Sequence, residues 1–86
     1  MDRSGEWYVY VLRSDQDGKL YIGISKNVDA RLKRHNGGFV VSTKHRRPFQ
    51  LVGIKQVGSL IVAREMELEL KAFKDPHRVC QRIGYP

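Results

Sequence analysis

Cysteine is nearly absent from this chain of 86 residues, since Cys80 is the only one. A single cysteine excludes an intramolecular disulfide and a metal site built from several thiolates, and it suits a reducing compartment. No hydrophobic run approaches the roughly 20 residues that a membrane-spanning helix requires. The polar start, residues 1–6, predicts no signal peptide. These absences predict a soluble, cytoplasmic protein with no membrane partner.

Acidic residues are also few. The chain has nine Asp and Glu and sixteen Lys and Arg, which gives a formal net charge of +7. A domain this basic favours polyanionic partners, such as nucleic acid or an anionic membrane surface. The plainer alternative is a basic surface that only keeps the protein soluble. The length allows one small core, and a hydrophobic fraction of 41% argues against wholesale disorder. We therefore predict a single domain over residues 1–86.

Several common catalytic motifs are missing. The chain has no Walker loop, no dinucleotide-binding fingerprint and no Ser-His-Asp pattern. Its three histidines, at positions 35, 45 and 77, lack the spacing of a zinc site, to which Cys80 could add only one ligand. The groups that remain for chemistry are tyrosines, an arginine, a histidine and a glutamate on a basic chain.

Two strands are expected first. Residues 7–13 and 20–24 are rich in aromatic and β-branched side chains. Asp17-Gly18 between them favours a reversal, since glycine tolerates a positive φ, so the strands should form an antiparallel hairpin. Both faces of the first strand are apolar or amphipathic, which predicts a central place in the sheet. Gly23 either ends the second strand or admits a close neighbour, and the sequence leaves both open.

A basic helix is expected over residues 28–36, with Asn27 as its N-cap and Asn36-Gly37-Gly38 as its stop. Val28 and Leu32 form its predicted buried stripe. Arg31 and His35 stand four residues apart beside that stripe, so they can act at one place.

Cationic side chains around this helix are the predicted nucleic-acid contacts. The loop at residues 37–48 combines several cations with the hydroxyls of Ser42 and Thr43, and such groups hydrogen-bond phosphates well. A merely solvated charged loop is the alternative. The predicted nucleic-acid-binding residues are Lys26, Lys33, Arg34, Lys44, Arg46 and Arg47.

A third strand over residues 49–57 and a helix over residues 60–74 complete the predicted core, and the tail pattern allows a short helix near residues 79–83. Glu67 falls beside the apolar stripe of the long helix, where a partly buried carboxylate needs a cation or a metal. A Glu67–Lys71 ion pair within the helix is the plainer alternative. The stripe itself consists of Val62, Ala63, Met66, Leu70 and Phe73.

These groups suit the hydrolysis of a phosphodiester. Glu67 can hold one divalent cation, which stabilises the leaving oxygen and the charge on the phosphate. Arg31 can stabilise the extra negative charge of the transition state. A tyrosine or His35 can accept the proton of the attacking water, and a tyrosine needs Arg31 or Lys26 nearby to lower its pKa. The alternative for each tyrosine is a ring that only packs within its strand.

Two motifs resemble the GIY-YIG nuclease superfamily. Residues 8–10 (Tyr-Val-Tyr) and residues 21–23 (Tyr-Ile-Gly) are similar to the paired signature that names it, with Tyr in place of the first Gly. Arg31 follows ten residues after the second motif's tyrosine and His35 four residues later, as in the family. Glu67 lies in a pattern, Ala-x-x-x-Glu-x-x-x-Lys, that resembles the family's metal-binding segment.

The resemblance covers about residues 6–74 and implies an α+β fold, a three-stranded antiparallel sheet flanked by helices in the order β-β-α-β-α. Arg47-Pro48 before an apolar strand resembles the small single-domain bacterial members related to the structure-specific resolvase nucleases. The resemblance implies DNA cleavage with one Mg²⁺ or Mn²⁺ ion. The implied catalytic residues are Tyr10, Tyr21, Arg31 and His35, with Glu67 as the metal ligand.

Besides Tyr in place of the first Gly, the sequence departs from the family at two further points. Ile24 stands where excision-repair members carry a lysine, and no Asn follows Asn36. Three alternatives to a self-sufficient nuclease remain at this point: a non-catalytic nucleic-acid-binding module, a nuclease subunit that needs a protein partner or a homodimer, and a protein-interaction subunit that uses Tyr85.

Overall fold

The computed structural model describes residues 6–73 and 75–83. The predicted α+β fold is confirmed, including the short last helix. Within the described ranges, none of the helices has the length and apolar character needed to cross a membrane. The elements are β1 (Trp7–Ser14), β2 (Leu20–Ser25), α1 (Val28–Asn36), a 3-10 turn (Lys44–Arg46), β3 (Phe49–Val57), α2 (Leu60–Ala72) and α3 (Pro76–Ile83).

The sheet has the order β2-β1-β3, with β1 antiparallel to both neighbours, so its predicted central position is confirmed. Gly18 adopts a φ of +71° in the hairpin turn, which is the positive φ that the Asp-Gly pair predicts. Tyr10 lies opposite Gly23 of β2. The pairing of β1 with β3 shifts after Val11, which faces Gly53, and this irregularity bends the strand locally.

Both faces of β1 are buried, against different helices. Val9 and Val11 pack into a cluster with side chains of α2 and α3. Tyr10 and Leu12 point the other way and pack with Val28 of α1 and the first residue of β3. The molecule therefore has two small cores on opposite sides of one sheet, and the α1 side carries the tyrosine of the first motif.

Helix α1 spans the predicted residues, and the Asn27 side chain accepts the backbone N–H of Ala30 at 3.0 Å as its cap. The prediction that His35 lies beside the buried stripe is wrong. Val28 and His35 are the buried residues of this helix, because seven residues make almost two full turns and bring both side chains to one face.

Helix α2 ends at Ala72, and position 74 of the predicted range lies outside the described residues. Its predicted stripe is correct for three members, but Val62 is exposed. Pro76 does more than end a helix, since it is the first residue of α3. Proline suits that position because it needs no N–H partner there, and the Asp75 carboxylate accepts the N–H of His77 at 3.0 Å.

Helix α3 approaches the sheet closely. A Cβ on Gly53 would lie 2.7 Å from Cγ2 of Ile83, so the glycine makes room for this helix. Tyr85, the contact suggested for a protein-interaction subunit, lies outside the described residues.

Candidate active site

Tyr10 and His35 form the centre of the site. The Tyr10 hydroxyl lies 3.3 Å from Nε2 of His35. Tyr10 is 1% exposed and His35 is fully buried, although both are polar. The central strand presents the tyrosine and the last turn of α1 presents the histidine, so two regular elements fix this pair.

Gly23 permits that arrangement. It lies within β2 opposite Tyr10, and a Cβ there would come 2.5 Å from the Tyr10 hydroxyl oxygen. Any larger residue would displace the phenol ring. Of the two roles that the sequence left open for Gly23, the structure supports the close approach, since the strand continues to Ser25.

Thr43 orients the imidazole of His35. Its Oγ1 lies 2.8 Å from Nδ1 of His35 and 3.4 Å from the carbonyl oxygen of Val40. Because a carbonyl oxygen only accepts, the Thr43 hydroxyl donates to Val40 and accepts from Nδ1–H. That tautomer leaves Nε2 unprotonated, so it accepts the hydrogen bond of the Tyr10 hydroxyl.

The loop pattern predicts a phosphate contact for the Thr43 hydroxyl and gives no sign of this role. The side chain is 1% exposed and faces inward, whereas Ser42 beside it is exposed. Asn36 was likewise identified only as a helix stop. Its side chain donates to the carbonyl of Phe49 at 3.1 Å and accepts the Phe49 N–H at 2.6 Å, which ties α1 to β3. The sequence of the loop predicts neither the contact of Thr43 with His35 nor that of Asn36 with Phe49.

Tyr21 and Arg31 border the pair. The Tyr21 ring packs edge-on against His35, with ring centroids 4.7 Å apart, and lies 6.4 Å from the Tyr10 ring. Arg31 is half-buried and lies near enough to Tyr10 to act on the pKa of its hydroxyl. The four predicted catalytic side chains are therefore neighbours on the α1 side of the sheet.

Burial dominates the electrostatics of the pair. It raises the pKa of Tyr10, and although Arg31 acts in the opposite direction, the result is still a raised value. Burial, with Arg31 and Arg34 in addition, lowers the pKa of His35. Arg31 therefore acts on the pKa of Tyr10 in the expected direction, but burial outweighs it. Lys26 lies instead over the Trp7 ring, 5.3 Å from its centroid.

Glu67 lies close enough to Tyr10 that its charge helps to raise that tyrosine's pKa. Its carboxylate is 16% exposed and pairs with Nζ of Lys71 at 3.2 Å, so the predicted ion pair exists. Helix α2 belongs to the opposite core, but it packs beside β2, an edge strand of the sheet. Glu67 is therefore a partly buried acid at the border of the tyrosine cluster.

The donor set fits a weakly held, hydrated cation. Among residues 6–73 and 75–83, no group of three or more His, Cys, Asp or Glu side chains could enclose a metal ion. Mg²⁺ does not need such a cage, because it commonly takes one or two carboxylates and completes its shell with water and substrate phosphate oxygens. Glu67 fits that pattern, since its partner Lys71 is exposed and free to rotate away.

The predicted nucleic-acid contacts divide into two groups. Arg46 is half-buried, donates to the Asp17 carboxylate at 2.8 Å and lies near the Leu20 carbonyl, so it joins the loop to the hairpin turn. The others are exposed: Lys26, Lys33, Arg34, Lys44 and Arg47.

Comparison with known proteins shows the family to which the chain belongs. Residues 6–78 match the family of the GIY-YIG catalytic domain. A UPF0213 protein of Staphylococcus haemolyticus is 40% identical over 67 residues, which cover 77% of this chain and 80% of that protein. A UPF0213 protein of Syntrophus aciditrophicus is 39% identical over 66 residues, covering 74% and 75%.

A solved structure is similar as well. The solution NMR structure of a UPF0213 protein from Bacillus halodurans aligns with a TM-score of 0.55 and 32% identity, over 92% of this chain and 83% of that one. Family, relatives and fold agree with the family resemblance of the two tyrosine motifs. This chain is a small member of the GIY-YIG superfamily, with a domain of the nuclease type.

Proposed function

We propose that this protein is an endonuclease that hydrolyses DNA phosphodiester bonds with the help of one Mg²⁺ or Mn²⁺ ion. The observation that carries the proposal is the buried hydrogen bond of 3.3 Å between Tyr10 and His35, with the Arg31 guanidinium near enough to act on the pKa of the same tyrosine. A tyrosine that only packed would need one polar partner. A phenol held between an imidazole and a guanidinium is suited to proton transfer beside an anion.

In the proposed mechanism, Tyr10 accepts the proton of the attacking water while its own proton passes to Nε2 of His35. The low pKa of buried His35 keeps the ring neutral and its Nε2 lone pair available at neutral pH. Since the pKa of Tyr10 is raised, a phenolate at this position is unfavourable. Tyr10 therefore gives its proton to His35 at the same time as it accepts the proton of the water. The Thr43 hydroxyl then stabilises the imidazolium through Nδ1–H.

Other side chains would bind and stabilise the phosphate. Arg31 would form charge-assisted hydrogen bonds with its oxygens, which carry most charge in the transition state. Tyr21, packed on His35, would orient the water or the phosphate. Glu67 would hold the metal ion, which when bound supplies Lewis-acid stabilisation of the phosphate and the leaving oxygen. The exposed cations of α1 and the loop would contact neighbouring phosphates.

The test is cleavage of labelled duplex, single-stranded, flap and junction DNA in Mg²⁺, Mn²⁺ or EDTA. We expect Arg31→Ala and Glu67→Gln each to lower the cleavage rate by about 100-fold or more, as removal of one transition-state contact does. Both should still bind DNA. The slope of log K against log salt concentration should be about −0.9 for each phosphate contacted on a duplex. Glu65→Gln, an exposed acid of the same helix, is the control and should cut normally.

Two results would contradict the proposal in different ways. Unchanged cleavage by Glu67→Gln would remove this residue from metal binding. If wild type cuts none of these substrates but binds them in a salt-sensitive way, the protein is a binding module or a subunit that needs a partner.

A further inference from the structure

The loop after α1 holds an aromatic side chain, Phe39, in a fixed and open position. Gly38 adopts a φ of +80° after the last turn of the helix. Its N–H donates to the His35 carbonyl at 3.2 Å, and the Phe39 N–H donates to the Arg34 carbonyl at 3.1 Å. These two bonds form a Schellman motif, which fixes the backbone of the residue that follows the glycine.

Residues at the position of Phe39 in this motif usually pack on an apolar side chain of the last helical turn. Here those positions are Lys33 and Arg34, so the motif offers no apolar surface of that kind. The Phe39 ring lies against Gly37, where a Cβ would come 2.8 Å from it, and the residue remains 73% exposed. A rigid backbone thus presents a large aromatic ring to solvent.

Val41 is a second exposed apolar residue of the same loop. It occupies a turn closed by the Thr43 N–H and the Val40 carbonyl at 3.1 Å, and it is 82% exposed. Single exposed hydrophobic residues are common on protein surfaces. We call these two exposed apolar residues of one anchored loop the Phe39–Val41 platform.

The surroundings of the platform are cationic. The sequence has no Asp or Glu from residue 30 to residue 64. The guanidinium of Arg47 lies against Gly38, next to Phe39. The side chains of Lys33, Arg34 and Lys44 are exposed on the adjoining helix and loop. An apolar ring among cations complements a nucleic-acid strand, whose phosphates meet the cations while a base stacks on the ring.

The platform is also tied to the candidate active site. Phe39 follows His35 by four residues and precedes Thr43 by four, and these two side chains hydrogen-bond at 2.8 Å. Four residues span at most about 14 Å, so a base on Phe39 belongs to a nucleotide close to the reacting phosphate.

We infer that the Phe39–Val41 platform stacks on an unpaired base beside the cleaved phosphate, a conclusion that rests on the proposed DNA substrate. In an intact duplex, each base inside the helix is covered on both faces by its neighbours. A protruding ring reaches a base only in a single strand or where pairing is interrupted. The preferred substrate class is therefore DNA with at least one unstacked base near the cleavage point.

Binding without chemistry tests this inference. Fluorescence anisotropy in EDTA would compare a single-stranded thymidine oligonucleotide with a duplex of equal length. We expect Phe39→Ala to weaken single-strand binding roughly 5- to 150-fold, the effect of losing one stacked base, with less than about a twofold effect on the duplex. Phe39→Trp should bind like wild type, and the fluorescence of its added indole should be quenched by the single strand.

Leu68→Ala is the matched control, because Leu68 is a similarly exposed apolar residue on α2, away from the basic loop. It should bind both DNAs like wild type. Equal affinity of Phe39→Ala and wild type for the single strand, or equal losses on both DNAs, would overturn the platform and leave the nuclease proposal standing. Phe39-dependent binding by a wild-type protein that cuts no DNA would overturn the nuclease proposal alone.

A second probe distinguishes DNA from RNA as the bound strand. The uridine oligoribonucleotide of the same length should bind no better than the thymidine strand. A clear preference for the RNA strand would overturn the assignment of DNA, since stacking alone accepts either.

Discussion

At the scale of single residues, the site depends on which nitrogen of His35 carries the proton. Thr43 settles this, because its hydroxyl is already committed to the Val40 carbonyl and accepts from Nδ1–H. The neutral ring then offers Nε2 to Tyr10. Thr43 touches no substrate in this arrangement, so it is a positioning residue for the proposed proton transfer.

Replacing the Thr43 hydroxyl tests this directly. Thr43→Val keeps the shape but loses the hydrogen bond, and we expect kcat to fall at least about 10-fold, which corresponds to roughly 1.4 kcal/mol. Thr43→Ser should restore most of the rate. NMR of the imidazole nitrogens should find Nδ1–H in wild type and a tautomer mixture in Thr43→Val. A wild-type kcat in Thr43→Val would remove the residue from the mechanism, and exposed Ser42→Ala is the control.

At the scale of elements, the attachment of α1 to the sheet determines how precisely the site residues are positioned. The helix contributes Arg31 and His35, and β1 contributes Tyr10. Asn36 joins the end of α1 to the start of β3 through both backbone groups of Phe49. This side chain therefore ties the end of the helix to the strand that begins after the basic loop.

Asn36→Ala should destabilise the fold by about 1–3 kcal/mol, since it leaves the Phe49 N–H and carbonyl without their partner. Urea unfolding with a constant m-value measures this. Gln50→Ala is the neighbouring control, because Gln50 is exposed and bonds only to Asp15 at the surface, so its cost should stay below about 0.5 kcal/mol. Equal stabilities of Asn36→Ala and wild type would contradict the role of this side chain.

At the scale of the whole molecule, folding encloses a titratable side chain between a sheet and a basic helix. Burial, Arg31 and Arg34 lower the pKa of His35 below its ordinary value of 6.5. As the pH falls through 6.5, His35 binds a proton in the unfolded chain but not in the folded protein. The contribution of His35 to stability is therefore complete above that pH and declines below it.

The free energy of unfolding should thus fall between about pH 7.5 and 5.5, by at most about 1.4 kcal/mol per pH unit from this residue. His35→Gln should lack this part of the slope. Denaturant unfolding of both proteins at each pH gives the difference, in which the other histidines cancel. A difference that does not change with pH would show that folded His35 accepts the proton freely.

Local patterns predicted most of the secondary structure, but not the 3-10 turn at Lys44–Arg46 or the start of α3 at Pro76. The turn at Gly18 and the cap at Asn27 act within a few residues, and α1 and β3 have the predicted bounds. The spacing of tyrosines, arginine, histidine and glutamate also identified the family. The predicted roles of these site residues, and a single domain over residues 1–86, stay predictions.

Long-range contacts required the folded chain. The Thr43–His35 bond and the room that Gly23 leaves for Tyr10 depend on how α1 crosses the sheet and how β2 pairs with β1. Arg46 donates a hydrogen bond to the carboxylate of Asp17, which lies 29 positions earlier in the sequence. A cation that was predicted to contact phosphate is therefore bound to a carboxylate instead. Composition and spacing report which groups a chain carries. The packing of helix on sheet decides which of them are buried, and burial sets both their partners and their pKa values.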